Sequence, residues 1–325
     1  MSLLSALTNA ILPVLSVAAV GFLLGTLRDI NVDALGTVTI YILTPALVFH
    51  SLTTTSLGGK TALTLAVAVV AFTLGMVALA EFVGRALGES EPILGALVLA
   101  SSFPNAGNYG IPLSQFAFGD VGRSTAILYI AAQSVLTYTV GVYLASRGNG
   151  TSNFAALREV FKLPLVYAVL AAGIARILGV VPPVDSAAME TIQLTGDAAI
   201  PVMLLMLGIQ LANTDSGAAV SRVGVASTLK LLVAPLVAVG VVFLLGFEDL
   251  TVARVFVLEC AMPAAITPLI LSIEYDEGGV GLTAPEYVST AIFISTLVSV
   301  PVLTLLIAIL QSGTIVWGLY RFVPY

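Results

Sequence analysis

Apolar residues in this chain run in long stretches, separated by charges and by clusters of Gly, Pro and Asp. Breaking the chain at those separators leaves ten segments, at 4–27, 33–54, 61–87, 92–118, 123–146, 162–180, 185–212, 218–246, 252–275 and 286–311. A helix needs about 20 mostly apolar residues to cross a bilayer, and each segment is read as such a helix. The connections are short. The longest, 147–161 (RGNGTSNFAALREVF), is polar, and with the adjoining Lys162 it carries three of the twelve Lys and Arg residues. The expected fold class is therefore an all-α integral membrane protein with ten transmembrane helices. The tail 312–325 (GTIVWGLYRFVPY after Ser312) is aromatic and suits a membrane interface.

Composition agrees with the pattern. Of 325 residues, 58% are hydrophobic and 9% charged, and the mean hydropathy is +1.08. A soluble core of this size has no room for that much apolar surface. The charges cluster between the apolar stretches, as expected when a charge at the bilayer centre costs at least ~2.5–3.5 kcal/mol. The opening MSLLSALTNAILPVLSV has no positive residue before its apolar run, which argues for a first spanning helix rather than a cleaved signal peptide. A single cysteine, Cys260, excludes a disulfide within the chain and reads as a packing residue; with one histidine beside it, a His/Cys metal site is not expected. No basic run is present, so no nucleic-acid partner is expected. With the N-terminus outside, Arg28, Arg85, Arg147, Arg158, Lys162 and Arg222 fall on the cytoplasmic side and Lys60, Arg123, Arg176, Arg254 and Arg321 outside; the Arg147–Lys162 cluster sets that orientation.

The two halves echo each other. Leu12-Pro13 opens the first segment and Leu163-Pro164 the sixth; Val32-Asp33 starts the second and Val184-Asp185 the seventh; Pro45 lies within the second and Pro201 within the seventh. Pro104 and Pro112 interrupt the fourth, and Pro263 and Pro268 the ninth. The first repeat is 1–146 and the second 162–311, joined by the cytoplasmic linker 147–161 and followed by the tail 312–325. Five spans per repeat invert the second half relative to the first, the sequence signature of an alternating-access transporter.

The interrupted segments carry the candidate chemistry. Between Pro104 and Pro112 stand Asn105, Gly107, Asn108 and Gly110. Proline removes an N–H and clashes with the preceding turn, and glycine costs ~1 kcal/mol of helix propensity, so the segment should unwind at mid-membrane depth. Unwound backbone survives there only when buried or lining a wet cavity. The half-helix after the break aims its free N–H groups and positive dipole end at the gap, which suits a carboxylate, and Asn105 and Asn108 add amide donors. The bland alternative is a structural kink whose asparagines bond nearby carbonyls. The matching break in ECAMPAAITPLILSIEY favours two crossed helices around one site.

PNAGNYGIPLSQFAFG resembles the fourth-helix motif of the auxin efflux carrier family, MPAAITPLILSIEY its ninth-helix motif, TPALVFHSL its second-helix motif, and QSVLTYTVG, with Gln133 and Tyr138, its fifth-helix stretch. The family includes plant auxin carriers and prokaryotic malonate or malate permeases, and bile acid:sodium symporters are more distantly similar. The resemblance covers essentially the whole chain. It implies an elevator fold of the sodium–proton antiporter and bile acid symporter type, with helices 1, 2, 6 and 7 as scaffold, helices 3–5 and 8–10 as transport domain, and broken crossover helices 4 and 9. It implies a small organic anion, auxin-like or dicarboxylate, at the crossing, with efflux by elevator movement and Asn105 as the best carboxylate contact. Asn108, Gly107, Tyr109, Pro112, Thr267, Gln133 and Tyr138 complete the expected substrate site, and Pro104, Pro112, Pro263 and Pro268 shape the crossing. The other expected partners are membrane lipid and a second copy of the chain through the scaffold. The chain departs from the plant pattern at Ala264, where a polar residue is expected, in the third-helix start GGKTALTL, which lacks an acidic partner, and in its short central loop. These departures favour a small metabolite acid over auxin.

Three ionisable residues are candidates for coupling. Glu259 lies four residues before Pro263; it either binds Na⁺ or carries H⁺, or else pairs with Lys230 or sits near an interface. No other cofactor is expected. Asp197 either lines the cavity or bonds backbone around Pro201. His50 serves as a proton relay or as a bonded structural histidine. Glu274, Asp276 and Glu277 read as solvated. An aspartyl protease is rejected because Tyr275-Asp276 and Thr195-Gly196-Asp197 come in the wrong order and lack the first glycine, so no enzyme is expected. A receptor or scaffold has no need of paired breaks. An ion-coupled uptake symporter remains the alternative to efflux. The expected location is the plasma membrane, multi-pass.

Overall fold

The computed structural model describes residues 3–28, 30, 32–55, 57–147, 163–213, 220–275 and 282–312. The linker beyond Arg147, the tail after Ser312, Asp276 and Glu277, and the Asp33 side chain lie outside the described residues. Regular structure among the described residues is helical. In chain order the helices are α1 (Leu4–Leu27), α2 (Ala34–Thr54), α3 (Gly59–Ala86), α4 (Ile93–Ser102), α5 (Ala106–Ala145), α6 (Pro164–Leu178), α7 (Ala187–Ala212), α8 (Gly224–Leu245), α9 (Leu250–Cys260), α10 (Thr267–Glu274) and α11 (Ala284–Ser312).

Seven of these, α1, α2, α3, α5, α7, α8 and α11, are long and apolar enough to cross a membrane. The chain is thus a multi-pass helical membrane protein, but the ten expected segments do not map one to one onto helices. The fourth and ninth are each split in two. The second half of the fourth and the whole fifth form one helix, α5, bent at Gly119. Gly119 has φ 65° and ψ −149°, a backbone only glycine adopts without strain, so the helix kinks there with no intervening loop. The sixth expected span is the 15-residue α6, about 22 Å long at 1.5 Å per residue.

Proline leaves a regular imprint on these helices. Four of the five π turns among the described residues, at 7–11, 39–43, 106–110 and 229–233, end two residues before Pro13, Pro45, Pro112 and Pro235; the fifth, at 137–141, has no proline after it. The missing N–H and the ring clash leave the preceding turn without its regular bond, and a π turn accommodates both.

Small residues decide which helices touch. A Cβ on Gly208 of α7 would meet the Ala18 carbonyl and the Phe22 nitrogen of α1, and one on Gly21 would meet the Leu205 backbone, so α1 and α7 pack backbone to backbone. Gly196 brings α7 against the Leu47 backbone of α2 in the same way. Helix α6 packs on α2. The largest buried apolar cluster is centred on Phe72, Phe103, Tyr129 and Phe256 and draws on α3, α4, α5, α8, α9 and α11, with Ile11 and Val14 of α1 and Leu204 and Leu207 of α7 joining it. Outward-facing residues such as Ile177 and Leu244 are large, apolar and exposed, as suits surface that faces lipid.

Candidate functional site

The site is built where the two interrupted segments meet. Residues 103–105, between α4 and α5, and 261–266, between α9 and α10, are extended or irregular, and they pair antiparallel at Pro104 and Ala264. The Asn105 N–H donates to the Pro263 carbonyl at 2.8 Å, and the Ala265 N–H donates to the Phe103 carbonyl at 3.0 Å. Side chains satisfy what remains. Gln133 Nε2 donates to the Pro104 carbonyl at 2.9 Å, and the Ala264 N–H donates to Ser295 Oγ at 3.1 Å. Each such group left bare in hydrocarbon would cost several kcal/mol. The prolines break the helices, and the breaks then mend each other.

Four half-helix ends converge on this pairing. The C-termini of α4 and α9 arrive at it, and the N-termini of α5 and α10 leave from it. Asn105 caps α5: its backbone N–H is spent on Pro263, and its carbonyl accepts the Gly110 N–H at 2.9 Å. Its side chain is 5% exposed, and Nδ2 has no hydrogen-bond partner. A buried amide donor facing no acceptor is costly, ~1–3 kcal/mol, unless a ligand completes it.

Glu259 lies one turn before the second break and is fully buried. Ser114 Oγ donates to its Oε1 at 2.5 Å, and Oε2 has no partner. The carboxyl group presses on Gly110, where a Cβ would collide with it. Gly110 and Ser114 stand four residues apart and so share one helical face. That i,i+4 spacing is the signal by which the pair was findable from sequence. Lys230 is also fully buried, but it makes no ion pair with Glu259. Its Nζ donates to the Cys260 carbonyl at 3.1 Å and sits 5.6 Å from the Phe72 ring centre. An ammonium on a C-terminal carbonyl of α9 complements that end of the helix dipole.

The other expected site residues divide. Gly107, Asn108 and Thr267 are half-buried at the two half-helix starts, Pro104, Pro112, Pro263 and Pro268 are buried, and Tyr138 is half-buried a turn beyond Gln133. Tyr109 turns away: it is buried with its hydroxyl accepting from Ser299 Oγ of α11 at 3.4 Å. Asp197 neither lines the crossing nor bonds around Pro201; it pairs with Arg123 of α5 at 3.0 Å. His50 is buried within electrostatic reach of that pair. Gly110 was legible as part of the break but not as the seat of Glu259, and Ser114, Ser295 and Arg123 were not singled out as site residues: apart from the Gly110–Ser114 spacing, a lone Ser or Arg in an apolar run has no local signature.

A cleft of about 550 Å³ lies beside the crossing. Ile266 lines it at the break, Leu207 and Asn213 line it from α7 and the residue beyond, and Glu286 and Ser289 from α11.

Apolar helices broken and paired in mid-chain give this multi-pass membrane protein an internal polar site. Residues 6–307 match the model of the family described as membrane transport protein. The chain belongs to that family, to which the auxin efflux carrier motifs also pointed. It is 30% identical to an uncharacterized transporter of Methanothermobacter thermautotrophicus, over 90% of this chain and 94% of that one. It is 24% identical to an uncharacterized transporter of Methanocaldococcus jannaschii, over 91% and 96%. It is also 24% identical to a transporter of Rhizobium meliloti provisionally named for malonate, over 95% and 97%.

Proposed function

We propose that the chain is a secondary transporter that carries a small organic anion, a carboxylate such as a short dicarboxylate, outward across the plasma membrane. The observation that carries the reading is the buried, partnerless amide of Asn105 at the start of α5, facing the paired breaks. The N-terminal ends of α5 and α10 add positive dipole ends, and the anion completes the Asn105 donor. The malonate name of the Rhizobium relative agrees with that chemistry.

Transport proceeds by alternating access between two bodies. In this reading α1, α2, α6 and α7 form the scaffold, and α3–α5 with α8–α11 form the body that moves as an elevator, the two arising from inverted five-span repeats. The N-terminus lies outside, and the scaffold also supports a homodimer. The partnerless Oε2 of Glu259 favours a second reading, in which Na⁺ or H⁺ at Glu259 drives carboxylate uptake.

The test is uptake of a labelled dicarboxylate panel, malonate included, into proteoliposomes. Saturable flux whose apparent affinity Asn105→Ala weakens is the expected result; no flux from folded protein overturns it. Replacing Na⁺ with K⁺ and imposing a pH step distinguishes the coupling modes, and Glu259→Gln should abolish whichever dependence appears.

A further inference from the structure

Ion pairs in this molecule are distributed unevenly. Among the described residues, all but one join elements of the body formed by α3–α5 and α8–α11, or the loops between them. Arg147 pairs with Glu81 at 2.5 Å and with Glu91 at 3.4 Å, Arg222 with Glu89 at 2.8 Å, Arg85 with Glu81 at 2.6 Å, and Lys60 with Glu248. The exception is Arg123 of α5, which reaches across to Asp197 of α7 at 3.0 Å while also holding Asp120 at 3.4 Å.

That pair sits away from the cleft. Asp197 precedes Asn213, which lines the cleft, by about 16 residues on one helix, roughly 24 Å of helix axis. Around the pair the two bodies are in full contact. Leu47, Val48 and Leu52 of α2 share one buried apolar cluster with Ile111, Ala126 and Ile127 of α5. Ser124 Oγ donates to the Ser51 carbonyl at 3.3 Å beside it. Arg123 itself is nearly buried, with 10% of its side chain exposed against 48% for Asp197. The molecule is thus open beside the crossing at one end and sealed at the other, with a charged pair at the sealed rim.

We propose that Arg123 and Asp197 form a latch that holds the site closed on that side and must part before the site opens there. The inference rests on the transporter reading. An apolar seal alone has no directional lock. A guanidinium fixed by Asp120 on its own helix and bonded to a carboxylate on the opposite body adds one, and at the wet edge it is weak enough to break in each cycle.

The test is cysteine accessibility in a Cys260→Ala background. Ser124→Cys reports the sealed side, since Ser124 is 2% exposed, and Ser289→Cys reports the cleft. Asp197→Asn, which keeps shape and hydrogen-bonding capacity, should speed labelling of Ser124→Cys by an impermeant maleimide about tenfold and slow that of Ser289→Cys. The charge-exchanged pair Arg123→Asp with Asp197→Arg, combined with Asp120→Asn so that no second carboxylate opposes it on α5, should restore slow labelling, which a merely destabilised fold would not do. Unchanged labelling in Asp197→Asn protein that still carries malonate flux overturns the latch and leaves transport standing. Absence of flux from the unsubstituted protein overturns the reading beneath it.

Discussion

Gly110→Ala isolates the contact between the two breaks. A Cβ built there lies 2.8 Å from the Glu259 carboxyl carbon and 2.9 Å from Oε1, with Oε2 nearer still. The carboxyl carbon has to retreat by more than half an ångström to reach ordinary contact. Glu259 is fully buried and tied to Ser114 at 2.5 Å, so retreat breaks that bond. Overpacking of this kind costs ~1–3 kcal/mol, and a hydrogen bond to a charged group is worth ~1.5–3 kcal/mol, giving a loss of roughly 2.5–6 kcal/mol. In a Glu259→Ala background the same substitution has room, and the loss should shrink to below ~1 kcal/mol. The double-mutant cycle, measured by equilibrium unfolding in mixed micelles and followed by helical circular dichroism, should therefore show a coupling of roughly 2 kcal/mol or more. Distant, independent sites add within ~0.5 kcal/mol. Additivity at that level would refute the claim that Gly110 is small in order to seat this carboxyl group.

Other substitutions follow the same logic. Asn105→Ala should lower apparent malonate affinity in proteoliposomes about 10- to 100-fold, the equivalent of one lost hydrogen bond to a charged ligand at ~1.4–3 kcal/mol, with little change in melting temperature. Gln133→Ala should destabilise the fold by ~0.5–1.5 kcal/mol in thermal unfolding, because the Pro104 carbonyl loses its side-chain donor but keeps the Ala106 N–H at 2.8 Å. Gly208→Ala should cost ~1–3 kcal/mol or more by forcing α1 off α7, whereas Gly240→Ala on α8, whose Cβ would meet nothing within 4 Å, should stay within ~0.5 kcal/mol.

Much of the crossing was legible before any coordinates. Two prolines flanking glycines and asparagines in an apolar run predict a break, and a second proline pair 150–160 residues later predicts another at the equivalent place. Backbone chemistry is local, so it can be read locally. The count of spans was less legible. A glycine at the right position kinks the helix without a loop, and so the expected fourth and fifth segments merge across Gly119.

What the sequence determined by itself is the solvent and the weak points: long apolar runs require lipid, and prolines mark where helices give way. The tertiary structure decided the partners. Asp197 reads from sequence as a residue of the cavity or of a proline kink, yet it pairs with Arg123, some 74 positions away. Lys230 and Glu259 are both buried ionisable residues, yet they stand apart, one on a helix-end carbonyl and the other on Ser114. Pairing depends on which faces packing brings together. In this chain close approaches at glycines, Gly208 on α1, Gly196 on α2 and Gly110 on Glu259, set those faces. A glycine's neighbour is a property of the assembled fold, and no local pattern of residues records it.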